Sequence, residues 1–582
     1  MKQEKQTLSG YPSIDNPHCS KATFFEKHPF IPSINIYTLL KLVSRKNLDK
    51  PAVDCLNVKA TYRQLLNDSV IVSLALKELG VRKGDIVSVS MPNLYQALVI
   101  FFGCNRIGAV VTFLDAVAPS DEIISYLNQF NSPVFVAFDK DGEFLNKIKQ
   151  STNVAHIITL NVDESNSIEF QKNRNASKAD RVIKYSNLAQ IAEATRNKFE
   201  PIHSKKENAL ILFTSGSTGK PKSVVLTNEN VIAAEMYAMN TSHTENITGP
   251  KTLICVPFSY PYGFVTSALT SLLWGKESIL APDIGKDTIK YYFDKNPSIV
   301  FGSPALLDLT MGNLSHDQDL SSVTHFISGG DFLTVQHAVR GNEFFAKHGA
   351  PNVEIGNGFG NAETVSIGST PVGVPLRQET AGKLLVGINA MIVDPDTFEE
   401  RRCGEEGLLC VSGKHVFKEY YKDPKLTAEV KFIHNGKEYY NTGTLGIIDG
   451  QGYFTVTGRQ SRFYIMSSLN KVYCDNVQSI IAAYDGVKDC AVVKVPDKEK
   501  LYVNKAFIVL DDGYTESEET LKYIQDSLKA PTVSATGNKV QLKPYEIPTY
   551  MEFVKELPRI PRSEKIDYLL LEKEAEKQHL SQ

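Results

Sequence analysis

Several features that mark specialised classes of protein are scarce in this 582-residue sequence. Its eight cysteines are scattered, without a Cys-x-x-Cys pair or a tight Cys/His cluster, which argues against a zinc site and against a disulfide framework. The net charge is −3, so no basic field is available to attract a nucleic-acid backbone. No fixed-period repeat is present, which excludes a solenoid. The composition predicts an ordinary globular protein with reduced thiols.

Long hydrophobic runs are also missing. The N-terminal stretch 1–30 holds no apolar core of the kind that a secretion signal needs. The most hydrophobic run, 97–114, is interrupted by Asn105 and Arg106, so a membrane-spanning helix is not expected. We therefore expect a cytoplasmic protein without a membrane span and without a nucleic-acid partner.

Alternating helix and strand patterns begin at residue 60 and continue to about residue 140. The segment 61–80 has apolar residues at helical spacing and ends at Gly80, and a β-rich run, a second helical pattern and a second β-rich run follow it. This succession predicts βαβ units, a largely parallel sheet and an α/β fold class. Between 139 and 208 the polar stretch 161–181 predicts an exposed excursion or a long surface loop.

The pattern changes near the C-terminus, where strands between 407 and 466 give way to a smaller α/β piece. In that piece 490–496 and 505–513 are typical of strands, and 515–529 predicts a helix capped by Thr515 and Glu518. The chain is long enough for two to four domains. We place a boundary at 458–462, which predicts an N-terminal domain, 1–458, and a C-terminal domain, 459–582.

The segment FTSGSTGKPK, 213–222, has the composition of a phosphate-binding loop. Its glycines let backbone N–H groups approach an anion closely, its hydroxyls add hydrogen-bond donors, and a lysine adds positive charge. It is not a Walker A loop, because Lys220 is followed by Pro221. Since a strand-like run precedes it, a phosphate site is favoured over a Ser/Gly-rich surface loop. The candidate residues are Thr214, Ser215, Gly216, Ser217, Thr218, Gly219 and Lys222.

A second candidate, GNGFGNAET at 356–364, nearly matches the dinucleotide-binding pattern G-x-G-x-x-G. Asn361 stands where the third glycine belongs, so a dinucleotide site is a poor interpretation. The aromatic face of Phe359 can stack on a base, and the carboxylate of Glu363 can hold Mg²⁺ beside phosphates. Taken alone, a tight turn with a surface glutamate is the stronger alternative.

The third candidate is Lys565, in the segment PRIPRSEKIDY at 558–568. Two prolines make the chain extended there. A lysine in such a tail is usually a solvated charge, so only its context supports a functional role.

In this order and spacing, the three segments resemble those of the adenylate-forming superfamily of acyl-CoA synthetases, luciferases and peptide-synthetase adenylation domains. The likeness covers 35–572, includes GVRKGDIVSVSMPN, FISGGDFL, CGEEGLLCVSG and YYKDPKLTAE, and is nearest to acyl-CoA ligases. It implies a large N-terminal region of stacked α/β subdomains with a small β-barrel-like part. It also implies a small, mobile α+β C-terminal domain that rotates about Ser461.

The resemblance implies an AMP-forming ligase that uses ATP and Mg²⁺ to convert a carboxylic acid into its acyl-adenylate, with release of pyrophosphate. The segment 214–222 would enclose the β- and γ-phosphates, Glu363 would bind Mg²⁺, and Lys565 would reach the carboxylate and the α-phosphate oxygens. Phe359 would stack on adenine, and the remaining nucleotide contacts implied are Ser328, Gly329, Gly330, Asn357, Thr444 and Arg459.

The resemblance also implies a thiol acceptor, either coenzyme A or the phosphopantetheine of an acyl-carrier protein. Amino-acid-activating relatives place an aspartate in the segment that here reads VPFSYPYGFVTSAL, and no acid occurs between Pro257 and Leu269. Tyr260 stands where acyl-CoA ligases often have histidine. An apolar, aromatic pocket wall favours an aryl or a fatty acid as substrate, although these residues can equally be ordinary core.

Several positions depart from the family pattern. Thr444 stands where the family has an aspartate that binds the ribose hydroxyls, and Ala362 replaces the threonine that usually precedes the magnesium-binding glutamate. The segment after the hinge, 463–478, lacks the glycine that lets a thiol arm approach. These departures leave open a catalytically impaired nucleotide- or acyl-binding protein of the same fold.

Overall fold

The computed structural model of this chain is a mixed α/β protein with two large, mainly parallel sheets, an antiparallel sheet and a smaller C-terminal sheet. The predicted α/β class is therefore confirmed. The residues that the structure describes are 8–20, 22–161, 163, 181–193, 202–214, 221–242, 249–331, 333–468, 471–484, 486–511, 513–530, 532–533, 539–540, 542–560 and 565–580.

The eight-stranded sheet contains the predicted βαβ units. Its strands Ile86–Ser90, Val110–Leu114 and Val134–Phe138 are parallel and almost completely buried, as is typical of a sheet that helices cover on both faces. In order across the sheet, the strands are Glu419–Tyr420, Ser223–Thr227, Asn208–Phe213, Val110–Leu114, Ile86–Ser90, Val134–Phe138, His156–Leu160 and Val182–Lys184. The helices of this part of the chain are Pro12–Asp15, Phe24–Lys27, Ile36–Ser44, Tyr62–Glu78, Tyr95–Ile107, Ser120–Phe130, Gly142–Ser151, Leu188–Ala192 and Asn228–Ser242.

The seven-stranded sheet is parallel except for its last pair. Because His325–Ser328 and Glu354–Asn357 are adjacent parallel strands at one edge, their carboxyl ends lie side by side. In order across the sheet, the strands are Glu354–Asn357, His325–Ser328, Ile299–Gly302, Lys251–Ile254, Glu277–Leu280, Pro51–Cys55 and Val58–Thr61. The associated helices are the π-helix Tyr262–Leu269 and the α-helices Thr270–Leu273, Ile289–Phe293, Pro304–Asn313 and Val335–Lys347.

The antiparallel sheet leads into the C-terminal part of the chain. Its strands are Glu400–Arg401, Asn389–Val393, Glu406–Ser412, Lys437–Ile448 and Lys431–His434, with Phe454–Arg459 paired to Lys437–Ile448. The C-terminal sheet consists of Val487–Asp497, Leu501–Leu510 and Tyr550–Phe553, packed with the helices Cys474–Ile481, Glu518–Ser527 and Tyr568–Leu580. Short strand pairs are Ser369–Thr370 with Lys383–Leu384, Phe463–Ile465 with Lys471–Tyr473, and Thr532–Val533 with Lys539–Val540.

Two local predictions are changed by the structure. The predicted cap of the helix Glu518–Ser527 was wrong: the helix begins after Ser517, whose hydroxyl accepts from the Thr520 N–H at 3.1 Å. The polar stretch 161–181 lies almost entirely outside the described residues, so its surface loop stays a prediction. On either side of it, the helix Gly142–Ser151 and the strand Val182–Lys184 are elements that the sequence did not predict.

The sequence also leads us to expect no membrane-spanning helix. In the described ranges, no helix is both long enough and apolar enough to cross a membrane.

Candidate active site

The carboxyl ends of two adjacent strands of the seven-stranded sheet form one wall of the candidate site. Ser328 and Asn357 are paired in register, and the Gly358 N–H donates to the Ser328 carbonyl at 2.9 Å. Both side chains are buried, and in the described part of the chain Ser328 Oγ and Asn357 Oδ1 have no hydrogen-bond partner. Buried polar atoms are normally paired, so these two offer unused hydrogen-bonding capacity to a polar ligand.

Gly329 continues this wall and allows a close contact with an aromatic ring. A side-chain Cβ at this position would come within 2.9 Å of the Tyr262 ring. The Tyr262 hydroxyl donates to the Ile327 carbonyl at 2.6 Å, which fixes the ring against the strand. Tyr262 begins the π-helix Tyr262–Leu269, a rare conformation that often occurs at functional sites. The predicted substrate segment is therefore packed directly against the predicted nucleotide strand.

The turn after Gly358 holds Phe359 in place. The Phe359 N–H donates to Ser369 Oγ at 3.1 Å, and the half-buried ring packs edge-on against Phe454 at 5.1 Å between centroids. At Gly360 a Cβ would come within 2.2 Å of the Ser366 backbone, so only glycine fits. This turn also contains Val365 at φ 58°, a strained conformation for a β-branched residue.

Glu363 lies within this turn and is buried, with 5% of its surface exposed. The Tyr420 hydroxyl donates to Glu363 Oε1 at 2.6 Å, and Tyr440 is a second hydrogen-bonding neighbour. Burial raises the pKa of Glu363, while the bond from Tyr420 and the positive charge of Lys222 act in the opposite direction. The alternative of a surface glutamate is therefore wrong. A buried carboxylate with two hydroxyl partners and a nearby cation is a built polar site.

Lys222 connects this cluster to the candidate phosphate loop. Its Nζ lies 5.4 Å from the centroid of the Tyr420 ring. The Thr214 N–H donates to the Lys222 carbonyl, and the Lys222 N–H donates to Thr214 Oγ1, each at 3.0 Å. The two ends of the loop are thus closed beside Glu363. The residues between them that were predicted to bind phosphates, Ser215, Gly216, Ser217, Thr218 and Gly219, lie outside the described residues.

Thr444 and Arg459, the two residues predicted to contact ribose, are cross-strand neighbours in the antiparallel sheet. Thr444 is buried, and its N–H donates to Thr442 Oγ1 at 3.1 Å. Gly443 has a φ of 66°, and its carbonyl accepts from the Gln460 N–H at 2.8 Å. Because no atom of the described residues lies within 4 Å of a Cβ built there, the left-handed backbone rather than crowding requires this glycine.

Lys565 reaches this region from the C-terminal part of the chain. Its carbonyl accepts from the Ile560 N–H at 2.8 Å, and Arg559 and Ile566 form an isolated antiparallel bridge beside it. Burial, with the positive charge of Arg459, lowers the pKa of Lys565 to about 8, while the negative charge of Asp331 acts in the opposite direction. Lys565 therefore lies within electrostatic reach of a predicted ribose contact and of the residue that follows Gly330.

The described site residues thus fall into two connected groups. Thr214, Lys222 and Glu363 form one group, and Thr444, Arg459 and Lys565 form the other. A wall links the two groups; it consists of Ser328, Gly329, Gly330, Asn357 and Phe359. Phe359 precedes Glu363 in the same turn, and Gly330 is followed by Asp331, whose charge acts on Lys565.

Three residues of this site were missed by the sequence analysis: Tyr420, Tyr440 and Asp331. Tyr420 lies in the segment YYKDPKLTAE and Asp331 in FISGGDFL, both noticed only for their family likeness. A tyrosine or an aspartate without a partner in the neighbouring sequence gives no signal of its own. The family likeness of those two segments was the only available indication.

The residues present fit a magnesium ion that is held mainly by phosphates. Within the described ranges, no three His, Cys, Asp or Glu side chains converge as a complete metal site. Glu363 alone supplies a carboxylate. Mg²⁺ commonly takes one or two carboxylates and completes its shell with phosphate oxygens and water.

Comparison with protein families gives two matches along the chain. The model described as AMP-binding enzyme matches residues 40–421. The model described as AMP-binding enzyme C-terminal domain matches residues 476–565. The first match alone covers more than half of the sequence.

Among curated proteins, the chain is similar to the long-chain-fatty-acid–CoA ligase of Bacillus subtilis, at 26% identity over 100% of both chains. It is 24% identical to the peroxisomal OPC-8:0-CoA ligase 1 of Arabidopsis thaliana, over 93% of this chain and 94% of that protein. The first similarity spans the whole chain and so includes the C-terminal part that contains Lys565.

Solved structures share the fold. ATP-bound MatB from Rhodopseudomonas palustris aligns with a TM-score of 0.76 at 22% identity, covering 93% of this chain and 99% of that one. The anthranilate CoA ligase AuaEII in complex with anthranoyl-AMP aligns with a TM-score of 0.77 at 20% identity, covering 95% and 99%. At these identities the alignments bear on the fold alone.

Proposed function

Because the chain belongs to the family of AMP-binding enzymes, we propose that it joins a fatty acid to coenzyme A through a fatty-acyl-adenylate. Membership confirms the resemblance predicted from the sequence, and the chain is an AMP-forming ligase of the acyl-CoA ligase type. The identity of the acid and the roles of individual residues are our proposal. One observation carries it: Lys565 comes from the C-terminal part of the chain to lie near Arg459 and Asp331.

ATP is the nucleotide that this site fits. Ser328 Oγ and Asn357 Oδ1, which have no hydrogen-bond partner among the described residues, offer polar contacts at the carboxyl ends of the strands, and Phe359 follows Asn357 by two residues. Thr444 and Arg459 would contact the ribose, and the loop between Thr214 and Lys222 would surround the β- and γ-phosphates. A Mg²⁺ ion held by Glu363 would neutralise phosphate charge.

The first half-reaction follows from these positions. A carboxylate oxygen of the acid attacks the α-phosphorus of ATP, the bond to the bridging oxygen breaks, and pyrophosphate leaves with that electron pair. Lys565 would stabilise the charge that develops on the α-phosphate oxygens, since a preorganised cation is most effective where charge develops. Tyr420 and Tyr440 would hold Glu363 in one orientation. The enzyme contributes mainly positioning and electrostatics.

In the second half-reaction the thiol of coenzyme A attacks the acyl carbon, a thioester forms, and AMP leaves while the thiol proton passes to solvent. Lys565 has no task in this step. We propose that the domains are 1–458 and 459–582 and that the C-terminal domain rotates about Ser461 between the steps, as lid motions do in other enzymes. The alternative acceptor is the phosphopantetheine of an acyl-carrier protein.

A fatty acid is favoured over other acids by two observations. The relatives that align over the whole chain include a long-chain-fatty-acid–CoA ligase. The π-helix beside Gly329 presents apolar and hydroxyl side chains, and its segment contains no acid that would pair with a substrate ammonium group. Apolar walls with few polar groups are typical of pockets for apolar ligands. Aryl acids are the second candidate because they fit the same chemistry.

The test is ATP–pyrophosphate exchange with a panel of fatty acids of increasing chain length, aryl acids and amino acids, with and without coenzyme A. We expect exchange with fatty acids, and acyl-CoA detected by mass spectrometry when coenzyme A is present. Exchange only with aryl acids would change the substrate class. Exchange without acyl-CoA formation would favour a carrier protein as acceptor. Binding of ATP without exchange for any acid would favour the impaired binding protein.

A further inference from the structure

The helix Val335–Lys347 makes two polar contacts with the C-terminal part of the chain. Gln336 Nε2 donates to the Ala483 carbonyl at 2.9 Å, and Arg340 donates to Asp511 Oδ1 at 2.7 Å. Residues four apart share one face of a helix. The helix begins after Thr334, whose hydroxyl accepts from the His337 N–H at 3.1 Å. It therefore follows directly on the strand end that carries Gly329 and Gly330.

The receiving residues lie at one corner of the C-terminal part of the chain. Ala483 follows the helix Cys474–Ile481, and Asp511 follows the strand Leu501–Leu510. The Asp511 N–H donates to the Gly486 carbonyl at 2.9 Å. This bond joins the segment after the helix to the segment after the strand. A contact at this corner therefore acts on the C-terminal sheet as a unit.

The same sheet supports the bridged residues 559–560 and 565–566, which include Lys565. The strand Val487–Asp497 pairs with Leu501–Leu510 and carries Asp489, whose carboxylate is 2.6 Å from the Arg559 guanidinium. Arg559 in turn bridges to Ile566, next to Lys565. Ordered contacts thus run from Arg340 to Lys565 through the C-terminal sheet.

We propose that the ion pair between Arg340 and Asp511, together with the Gln336 contact, is a positioning contact that holds the C-terminal domain in the orientation for adenylate formation. Among the described residues, Arg340 and Asp511 form their ion pair with each other and have no hydrogen bond or ion pair to the predicted nucleotide site. The ion pair raises the fraction of molecules in which Lys565 lies near Asp331 and Arg459. The inference rests on the proposed two-step function.

The expected effect is modest because the side chains of Arg340 and Asp511 are 38% and 32% exposed. An exposed ion pair adds little to global stability. Under this proposal, however, the pair forms in only one of the two domain orientations and therefore stabilises that orientation relative to the other. Removing the pair should therefore lower the fraction in the adenylating orientation and slow adenylate formation about two- to fivefold. Salt should weaken the wild-type contact in the same direction.

The kinetic test compares the two half-reactions in Arg340→Ala, Asp511→Ala, Arg340→Asp and the charge-swapped double variant Arg340→Asp/Asp511→Arg. We expect slower single-turnover adenylate formation in the three single variants, most in Arg340→Asp, and recovery in the swap. Conversion of synthetic acyl-adenylate by coenzyme A should not slow. Arg63→Ala is the matched control, because Arg63 pairs with Asp49 at 2.8 Å, away from this contact. Equal losses in both half-reactions, or no loss, would overturn the proposal.

A second measurement does not depend on activity. Seven of the eight cysteines are buried, so spin labels can be placed at Lys347→Cys and Lys522→Cys after Cys403→Ser. Pulsed electron paramagnetic resonance should give a narrow distance distribution that broadens in Arg340→Ala and narrows again in the swap. An unchanged distribution in Arg340→Ala would overturn the positioning role. Failure of the wild type to form any adenylate would instead reject the proposed function, with the distances still deciding this inference.

Discussion

The Tyr420 hydroxyl donates a 2.6 Å hydrogen bond to Glu363, although the two residues lie 57 positions apart. Burial raises the pKa of both side chains. The bond keeps the carboxylate in one orientation beside Lys222, and this is the arrangement that a cation-binding carboxylate requires, since its partners set both its orientation and its affinity.

Magnesium dependence is the first prediction. Glu363→Gln should raise the Mg²⁺ concentration needed for half-maximal adenylation by more than about tenfold, because a neutral amide binds a hard cation poorly. Tyr420→Phe should raise it less, since the carboxylate remains but loses its hydroxyl partner. Initial rates measured against Mg²⁺ at fixed ATP test both. Tyr421→Phe is the control, and an unchanged requirement in Glu363→Gln would make the residue part of a turn only.

Removal of the C-terminal lysine is the second prediction. Lys565→Ala should slow adenylate formation by about 10²–10³-fold, the usual cost of losing one charge-stabilising group. The fold should be retained, as judged by circular dichroism and thermal unfolding, because the lysine lies outside the helices and strands of the C-terminal part. Conversion of preformed acyl-adenylate should be much less affected. Lys555→Ala, at an exposed lysine of the same part, is the control, and a wild-type adenylation rate in Lys565→Ala would reject the assignment.

The third prediction is a pH profile. Burial lowers the pKa of Lys565 to about 8, so the side chain is charged below that pH and neutral above it. We expect kcat/KM for adenylation to be level below pH 8 and to fall about tenfold per pH unit above it, because this parameter reports groups of the free enzyme. Lys565→Arg should remove that alkaline limb, since arginine stays charged. A limb near the ordinary lysine pKa would contradict the buried position.

Local patterns predicted much of this molecule. The strands Ile86–Ser90 and Val110–Leu114 and the helix Tyr62–Glu78 follow from residue spacing, which depends only on near neighbours. The pairing of Phe359 with Glu363 was visible for the same reason, because both lie in one short turn. The helix Glu518–Ser527 is capped by Ser517 and not by Thr515. The prediction missed this because a shift of the start by two residues changes the capping residue but leaves the helical pattern unchanged.

Contacts between distant segments could not be predicted in this way. Tyr420 meets Glu363, and Arg340 meets Asp511 across 171 positions, only because the sheets and helices between them fold. Neither the periodicity nor the composition of a short segment predicts a contact between residues so far apart in the sequence. For Lys565 the sequence supplied an exposed lysine in a tail, and the partial burial that lowers its pKa appears only in the folded chain.

Buried Glu235 gives a fourth prediction, about stability. Thr270 Oγ1 donates to Glu235 Oε1 at 2.9 Å, while Oε2 has no partner in the described part of the chain. Burial raises the pKa of Glu235 from 4.5 to about 8. A raised carboxyl pKa contributes stability that is fully present below pH 4.5 and is lost as the pH rises through about 8.

Glu235→Gln should remove this pH dependence. Between the two pKa values the wild type should lose on the order of 3–5 kcal/mol of unfolding free energy that the variant does not lose. Urea unfolding across that pH range measures the difference, with Glu343→Gln, at an exposed glutamate, as control. Parallel pH profiles of the wild type and Glu235→Gln would show that Glu235 is ionised in the folded protein.

The last prediction tests the departure from the family at the ribose. Thr444 is buried and faces Arg459 across the antiparallel sheet, and Gly443 forms the left-handed turn before it. An aspartate at 444 would therefore occupy the position from which a carboxylate can accept both ribose hydroxyls. Such charge-assisted bonds are stronger than those of a hydroxyl, so Thr444→Asp should bind Mg-ATP roughly five- to a hundredfold more tightly.

Calorimetric titration of the wild type, Thr444→Asp and Thr444→Asn with Mg-ATP separates charge from shape, because asparagine has the size of aspartate without its charge. Tighter binding in Thr444→Asp alone, together with faster exchange, would identify the natural threonine as a weakened ribose contact in a working enzyme. Weaker or unchanged binding would mean that the carboxylate pairs with Arg459 instead, or that the ribose is bound elsewhere. If the ribose is bound elsewhere, the nucleotide-binding protein is favoured over the ligase. In that case the nucleotide would not lie between Arg459 and Lys565, where the proposed adenylation requires it.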